Sequence, residues 1–220
     1  MDKRIVINQP AGLGDILFCQ KIKKTFENEG FEVVWPVIKE YSWVKEYLEG
    51  NYIDNNIFKS KSNDIIIDLS NANYMFPNKK IMEAKYFLVD IDYSDWIDFF
   101  NFKRNTEKEN KLYYDILGLK DDEEYVLVSR NYGSPPNFLK FPIETKSNIK
   151  NIELDFYNDF TLFDWCKVME NAKEIHMIDS SINFILEKIN TNVLYLYTRR
   201  KNNFSEIDYL FKKDYIKKYD

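Results

Sequence analysis

Short apolar runs alternate with helically spaced segments along almost the whole chain, and this alternation limits the possible folds most severely. In the first half "RIVIN" (4–8), "EVVWPV" (32–37), "DIIIDL" (64–69) and "KYFLVDI" (85–91) read as strands, while 15–28 and 41–49 carry helical spacing. A mixed aromatic stretch follows, with helical spacing at Leu112, Tyr113, Ile116 and Leu117. The second series holds strands at 125–130, 150–155, 174–179 and 193–198, helices at 161–172 and 181–189, and a terminal helix from Ser205. Strands alternating with helices predict an α/β protein whose parallel sheets are covered on both faces. The polar break "GLKDDEE" (118–124), after a helix stop at Gly118, predicts two Rossmann-like halves, 1–120 and 121–220, with a cleft between them.

At 220 residues, 45% of them hydrophobic and 17% aromatic, the chain can bury a substantial core. A net charge of −5 argues against a nucleic-acid binder that relies on overall charge. Cys19 and Cys166 lie far apart in apolar helical patterns and read as reduced core thiols of a reducing compartment. The charged start "MDKRIVINQP" does not resemble a signal peptide, and no apolar run reaches the roughly 20 residues of a membrane span. A cytoplasmic protein with no membrane span is expected.

Open α/β sheets bind ligands beyond the carboxyl ends of their strands, so each strand-to-helix turn is a candidate site. The first such turn reads Gly12-Leu13-Gly14-Asp15. Its glycines remove Cβ atoms where backbone must turn and approach something closely, and the following helix offers unpaired N–H groups to an anion. Asp15 reads equally as a helix cap or as a general base. No Gly-Lys-Ser/Thr marks an NTPase loop, and Leu17 stands where a dinucleotide fingerprint needs its third glycine. In the second half Asp179-Ser180-Ser181 joins a strand to a helix, where a serine would cap the helix or complete a cradle for a diphosphate.

"GLGDILFCQKIKK" resembles the N-terminal motif of the heptosyltransferase-like glycosyltransferases, family 9, and "FTLFDWCKVMENAKEIHMIDSS" resembles their C-terminal segment. The resemblance implies two Rossmann-like domains facing across a cleft and a metal-independent, cofactor-free inverting transferase of polysaccharide biosynthesis. Its partners would be a nucleotide-sugar donor, bound mainly by the second half, and a glycan or lipid-linked saccharide acceptor. Residue by residue, Asp15 matches the base, Gly12 and Gly14 the glycines beside the bound sugars, and Asp179, Ser180 and Ser181 the phosphate-side turn. "LKFP" (139–142) offers Lys140 to the departing diphosphate; Arg130 is another candidate cation, and Arg199 and Arg200 read as a solvated pair or as further cleft residues. The chain departs from the pattern at Phe184, where the family has histidine, and at Ser181, where it has glycine. These departures leave a non-catalytic nucleotide- or glycan-binding module as the alternative.

Asp90 and Asp92 imitate the Asp-X-Asp of metal-dependent transferases in what reads as a post-strand position, within an acidic stretch where chance matches are common. His176, alone of its kind, reads as structural or surface-facing and gives no zinc signature. "YGSPPNFLKFP" reads as a mobile loop or a fixed connection.

Overall fold

The computed structural model describes residues 3–145, 148–200, 203–205 and 207–218. The chain forms two compact units, Met1–Lys103 and Arg104–Asp220.

In the first unit the strands are β1 (Arg4–Ile7), β2 (Glu32–Val37), β3 (Asn51–Asp54) and β4 (Ile65–Ile67). They make one parallel sheet in the order β3-β2-β1-β4, with Arg4 paired to Glu32 and Ile5 to Ile65. The chain travels outward from β1 to β3 and then returns to the other side of β1. The order therefore reverses between β1 and β4, and their carboxyl ends flank the crevice where such sheets bind ligands. Helix α1 (Leu13–Phe18) and α2 (Gln20–Asn28) follow β1, separated at Cys19 (φ −84°, ψ 13°). The short helices α3 (Val44–Tyr47), α4 (Ala72–Met75), α5 (Ile81–Phe87) and α6 (Trp96–Phe99) complete the unit.

Helix α5 corrects the expected strand at 85–91. Ala84 and Tyr86 are buried, and the Tyr86 ring meets Phe18 edge-on at 4.9 Å while its hydroxyl donates to Phe18 O at 2.6 Å. Trp96 packs on the same Phe18 ring at 5.4 Å. Full burial of each such aromatic stabilises the fold by about 1.5–3 kcal/mol. A short apolar run does not by itself distinguish a buried helix from a strand, and here the packing of Tyr86 on Phe18 decides it.

The second unit holds β5 (Tyr125–Ser129), the hairpin strands β6 (Asn131–Tyr132) and β7 (Leu139–Lys140), then β8 (Lys150–Glu153), β9 (Glu174–Ile178), β10 (Val193–Tyr197) and β11 (Tyr215–Lys217). The main sheet is parallel, in the order β11-β10-β9-β5-β8. Its order reverses between β5 and β9, which makes that pair its switch point. Strand β11 pairs Tyr215 with Leu194, so the terminal helix expected from Ser205 is absent among the described residues, which show turns at 207–210 and this edge strand instead. The Tyr215 hydroxyl donates to Glu187 Oε1 at 2.9 Å and anchors the strand.

Helix α7 (Thr106–Asn110) runs into a π-helical turn (Lys111–Ile116), and α8 (Cys166–Asn171) follows a 3₁₀ turn (Leu162–Trp165). The unit boundary at 103/104 differs from the expected 120/121. Arg104 donates to Glu170 at 2.8 and 2.9 Å and also to buried Glu109, and the Lys167 ammonium lies 4.1 Å from the Tyr114 ring centre. Residues on both sides of the polar break thus pack within one unit. Cys19 and Cys166 are buried free thiols, and burial pushes both well above the usual thiol range.

Candidate functional site

At the first switch point Gly12 precedes α1 at φ +81°, a backbone conformation that L side chains rarely adopt. A Cβ added there would lie 2.3 Å from Asp15 Oδ2. Two constraints therefore require glycine at 12, while Gly14 is an ordinary helical position. Asp15 sits in the first turn of α1, where Gly12 is the N-cap residue. Its side chain is 26% exposed, and Oδ1 lies 3.2 Å from the ammonium of Lys85.

Lys85 is buried on α5 and donates to Gln9 Oε1 at 2.6 Å and to Leu69 O at 2.9 Å. Gln9 is held in turn, since its side-chain amide donates to Ala11 O and its backbone carbonyl accepts from the Trp35 indole at 2.9 Å. On the β4 side of the switch point, Asp68 accepts from Asn8 at 2.9 Å, from Ser70 at 2.6 Å and from Asn71 at 2.7 Å. Burial pushes the Asp68 carboxyl up, but these hydrogen bonds outweigh it and hold the group below the usual carboxylate range.

At the second switch point Asp179 follows β9 and is 3% exposed. The Arg199 backbone N–H donates to its Oδ1 at 3.1 Å, and the guanidinium Nε atoms of Arg199 and Arg200 lie 3.5 and 3.6 Å from Oδ2. Burial raises the Asp179 carboxyl above its ordinary range against the opposing pull of these arginines. Arg199, still exposed, and Arg200 are thus both ion-paired to Asp179, and Arg199 also lies 5.3 Å from the Tyr132 ring centre. Ser180 and Ser181 are half-buried at the turn. Neither hydroxyl caps helix α9 (Ile182–Leu186); the Asn183 side chain instead accepts from Ser180 N at 3.0 Å.

The segment "YGSPPNFLKFP" carries the hairpin β6–β7, in which Asn131 pairs with Lys140. It brings Lys140 to Glu153 at 3.1 Å, and Arg130 donates to the same carboxylate at 3.0 Å and to Ile143 O at 2.7 Å. Phe184 is a core residue, 5% exposed and edge-on to Phe211 at 5.1 Å.

Sequence reading missed Lys85, Glu153, Gln9 and Asn183. Lys85 lay inside an expected strand, and nothing local marks Glu153 as the acceptor shared by two cations. Asp90 and Asp92 follow helix α5, so the post-strand context of an Asp-X-Asp site is gone, and Asp92 accepts from Ser94 within its own turn. His176 is structural: Nδ1 lies 3.0 Å from the Tyr197 hydroxyl, Nε2 3.2 Å from Glu174, and the ring stacks on Tyr195 at 4.3 Å. Among the described residues, no group of three or more His, Cys, Asp or Glu side chains could hold a metal ion, and no helix is long and apolar enough to cross a membrane.

No family model and no curated protein matches the sequence. Among solved structures, the glycosyl transferase family 9 protein from Veillonella parvula DSM 2008 superposes with a TM-score of 0.57 over 98% of this chain and 86% of its own, at 11% identity. The two chains share a fold. The iron-containing dodecameric glycosyltransferase TibC from enterotoxigenic E. coli H10407 matches with a TM-score of 0.52 at 9% identity. That match covers 90% of this chain and 58% of TibC, so the chain spans little more than half the length of that relative. At such identities the likeness is one of fold.

Proposed function

We propose that the chain is an inverting, metal-independent glycosyltransferase that moves a sugar from a nucleotide-diphosphate donor to a hydroxyl of a glycan or lipid-linked saccharide. One observation carries the reading: on a family 9 fold, Asp15 stands at the carboxyl end of β1, partly exposed and turned by Gly12. A base must come within hydrogen-bond reach of the proton it takes, and a carboxylate at the mouth of a switch-point crevice meets that need.

In this reading the first unit serves the acceptor and the second unit the donor. Asp15 takes the proton of the acceptor hydroxyl as its oxygen attacks the anomeric carbon, and the bond from that carbon to the diphosphate oxygen breaks. The electron pair leaves with the nucleoside diphosphate. Arg199 and Arg200 meet the charge that develops, with Ser180 and Ser181 at the turn beside them. Preorganised cations of this kind act most strongly where charge appears in the transition state. Arg130 and Lys140 are reserve cations because Glu153 already engages both. A cytoplasmic location suits a nucleotide-activated donor.

The test is release of nucleoside diphosphate from UDP-, ADP-, GDP- and CDP-linked sugars, with and without EDTA, alongside thermal shift. Turnover unaffected by EDTA supports the reading; loss with EDTA removes metal independence. Stabilisation by a donor without turnover favours the non-catalytic binding module, a second reading that draws on the burial of Phe184 where the family pattern has histidine.

A further inference from the structure

The proposed chemistry gives no role to Lys85. Lysine is almost never fully buried unless paired, and this one is 4% exposed. An ammonium has three donors, and the partners at hand are Gln9 Oε1 at 2.6 Å, Leu69 O at 2.9 Å and Asp15 Oδ1 at 3.2 Å. They come from the loop after β1, the segment after β4 and the first turn of α1, so one side chain ties together all the walls of the first switch point. A purely structural tie would be served by a buried partner. Its carboxylate partner among the described residues is instead Asp15, whose side chain keeps 26% exposure.

We propose that Lys85 is the positioning residue of Asp15. It holds Oδ1, while Oδ2 lies over Gly12, at 2.3 Å from where a Cβ would stand; in the proposal Oδ2, the oxygen Lys85 does not hold, is the one that serves the acceptor. The inference rests on the glycosyl-transfer reading of Asp15. In that step the acceptor O–H proton passes to Oδ2 and the electron pair of the O–H bond stays on the oxygen. That oxygen forms the new bond to the anomeric carbon, and the diphosphate leaves with the electrons of the old one. Lys85 touches no substrate and gives up no proton. A carboxylate free to rotate about its side-chain bonds would reach the reacting geometry only part of the time, and small misplacements of this sort are costly in rate.

The experiment compares wild type with Lys85→Met, Lys85→Arg, Asp15→Asn and the Lys85→Met/Asp15→Asn double variant. It measures nucleoside diphosphate release from UDP-, ADP-, GDP- and CDP-sugars with water as the accepting hydroxyl, binding of UDP and ADP, and thermal melting. Lys85→Met is expected to lower kcat by about 100-fold with donor KM and nucleotide binding unchanged. Lys85→Arg, which keeps the charge, is expected to retain more turnover than Lys85→Met. Melting losses of the single variants are expected to be non-additive, since either change breaks the same pair. A wild type that turns over beside a Lys85→Met variant with the same kcat overturns the inference and leaves the transferase reading standing. A fall in nucleotide binding that accounts for the lost rate also overturns it. A wild type that releases no diphosphate from any of these donors overturns the transferase reading, and the positioning role with it.

Discussion

The two switch points of this chain are built on opposite principles. In the first unit the Asp15 carboxylate is matched by one buried ammonium, and the neighbouring polar groups, the Asp68 carboxylate among them, are locked by hydrogen bonds. In the second unit cations outnumber their acceptors: Asp179 gathers Arg199 and Arg200, and Glu153 gathers Arg130 and Lys140. Arg199 and Lys140 remain 37% and 58% exposed there. The first arrangement fixes the geometry of one negatively charged group. The second leaves positive charge available to an incoming anion. A base needs orientation and a diphosphate needs charge, so the contrast matches the division of labour proposed above.

The largest expected effect breaks the first side of the contrast. Asp15→Asn removes the proposed base, a contribution of about 10²–10⁴ in rate, and leaves the Lys85 ammonium without its charge partner. Because Asp15 is itself partly exposed, the stability loss is expected near the lower end of the 3–5 kcal/mol typical for breaking a buried pair, about 3 kcal/mol by denaturant melting. UDP and ADP binding is expected to survive.

The reverse pattern is expected in the second unit. Arg199→Ala and Arg200→Ala should each weaken binding of a nucleoside diphosphate by about 1.5–3 kcal/mol, read by calorimetry, with little change in melting temperature. Raising ionic strength to 1 M should weaken the same binding, because exposed charges are screened over about 3 Å there. If the arginine variants lose stability and keep affinity, Asp179 is a structural tie and the contrast collapses.

Gly12→Ala is expected to cost about 1–2 kcal/mol through the left-handed backbone alone. Contact with Asp15 Oδ2 adds to this, and displacement of the carboxylate should lower turnover more than it lowers stability.

The smallest effect concerns pH. Burial holds His176 below its ordinary value of 6.5, with Glu174 opposing and Lys218 and Arg130 adding to the depression. Its folded state therefore favours the neutral ring. The stability this brings is present above pH 6.5 and is lost as pH falls through that value toward the depressed one. Melting curves from pH 7.5 to 5.5 should show this slope for the wild type and a shallower one for His176→Gln.

The turn at Gly12 was legible because its constraint is local: a left-handed backbone before a helix restricts the residue whatever surrounds it. Most strands were legible for the same reason, since a continuous apolar run buried on both faces carries its own signature. Lys85 was not. A lysine beside Tyr86 and Phe87 reads as part of a half-buried strand, and its meaning comes from Gln9, Asp15 and Leu69, none of which is near it in sequence. Strand β11 was hidden likewise, because three residues at a sheet edge carry almost no pattern and depend on β10 for their definition. The candidate base was thus readable from a motif. The groups that hold it, and those that gather the arginines, exist only as contacts in the folded chain.

The separation of Gln9 from Lys85 by 76 residues has a consequence for synthesis. Both ends of that contact, and Asp15 with them, lie within the contiguous segment Met1–Lys103. Domains generally fold as units, the N-terminal one first, while the ribosome is still extending the chain. The ammonium can therefore find its carboxylate during translation, before the arginines at 199 and 200 have been added to the nascent polypeptide.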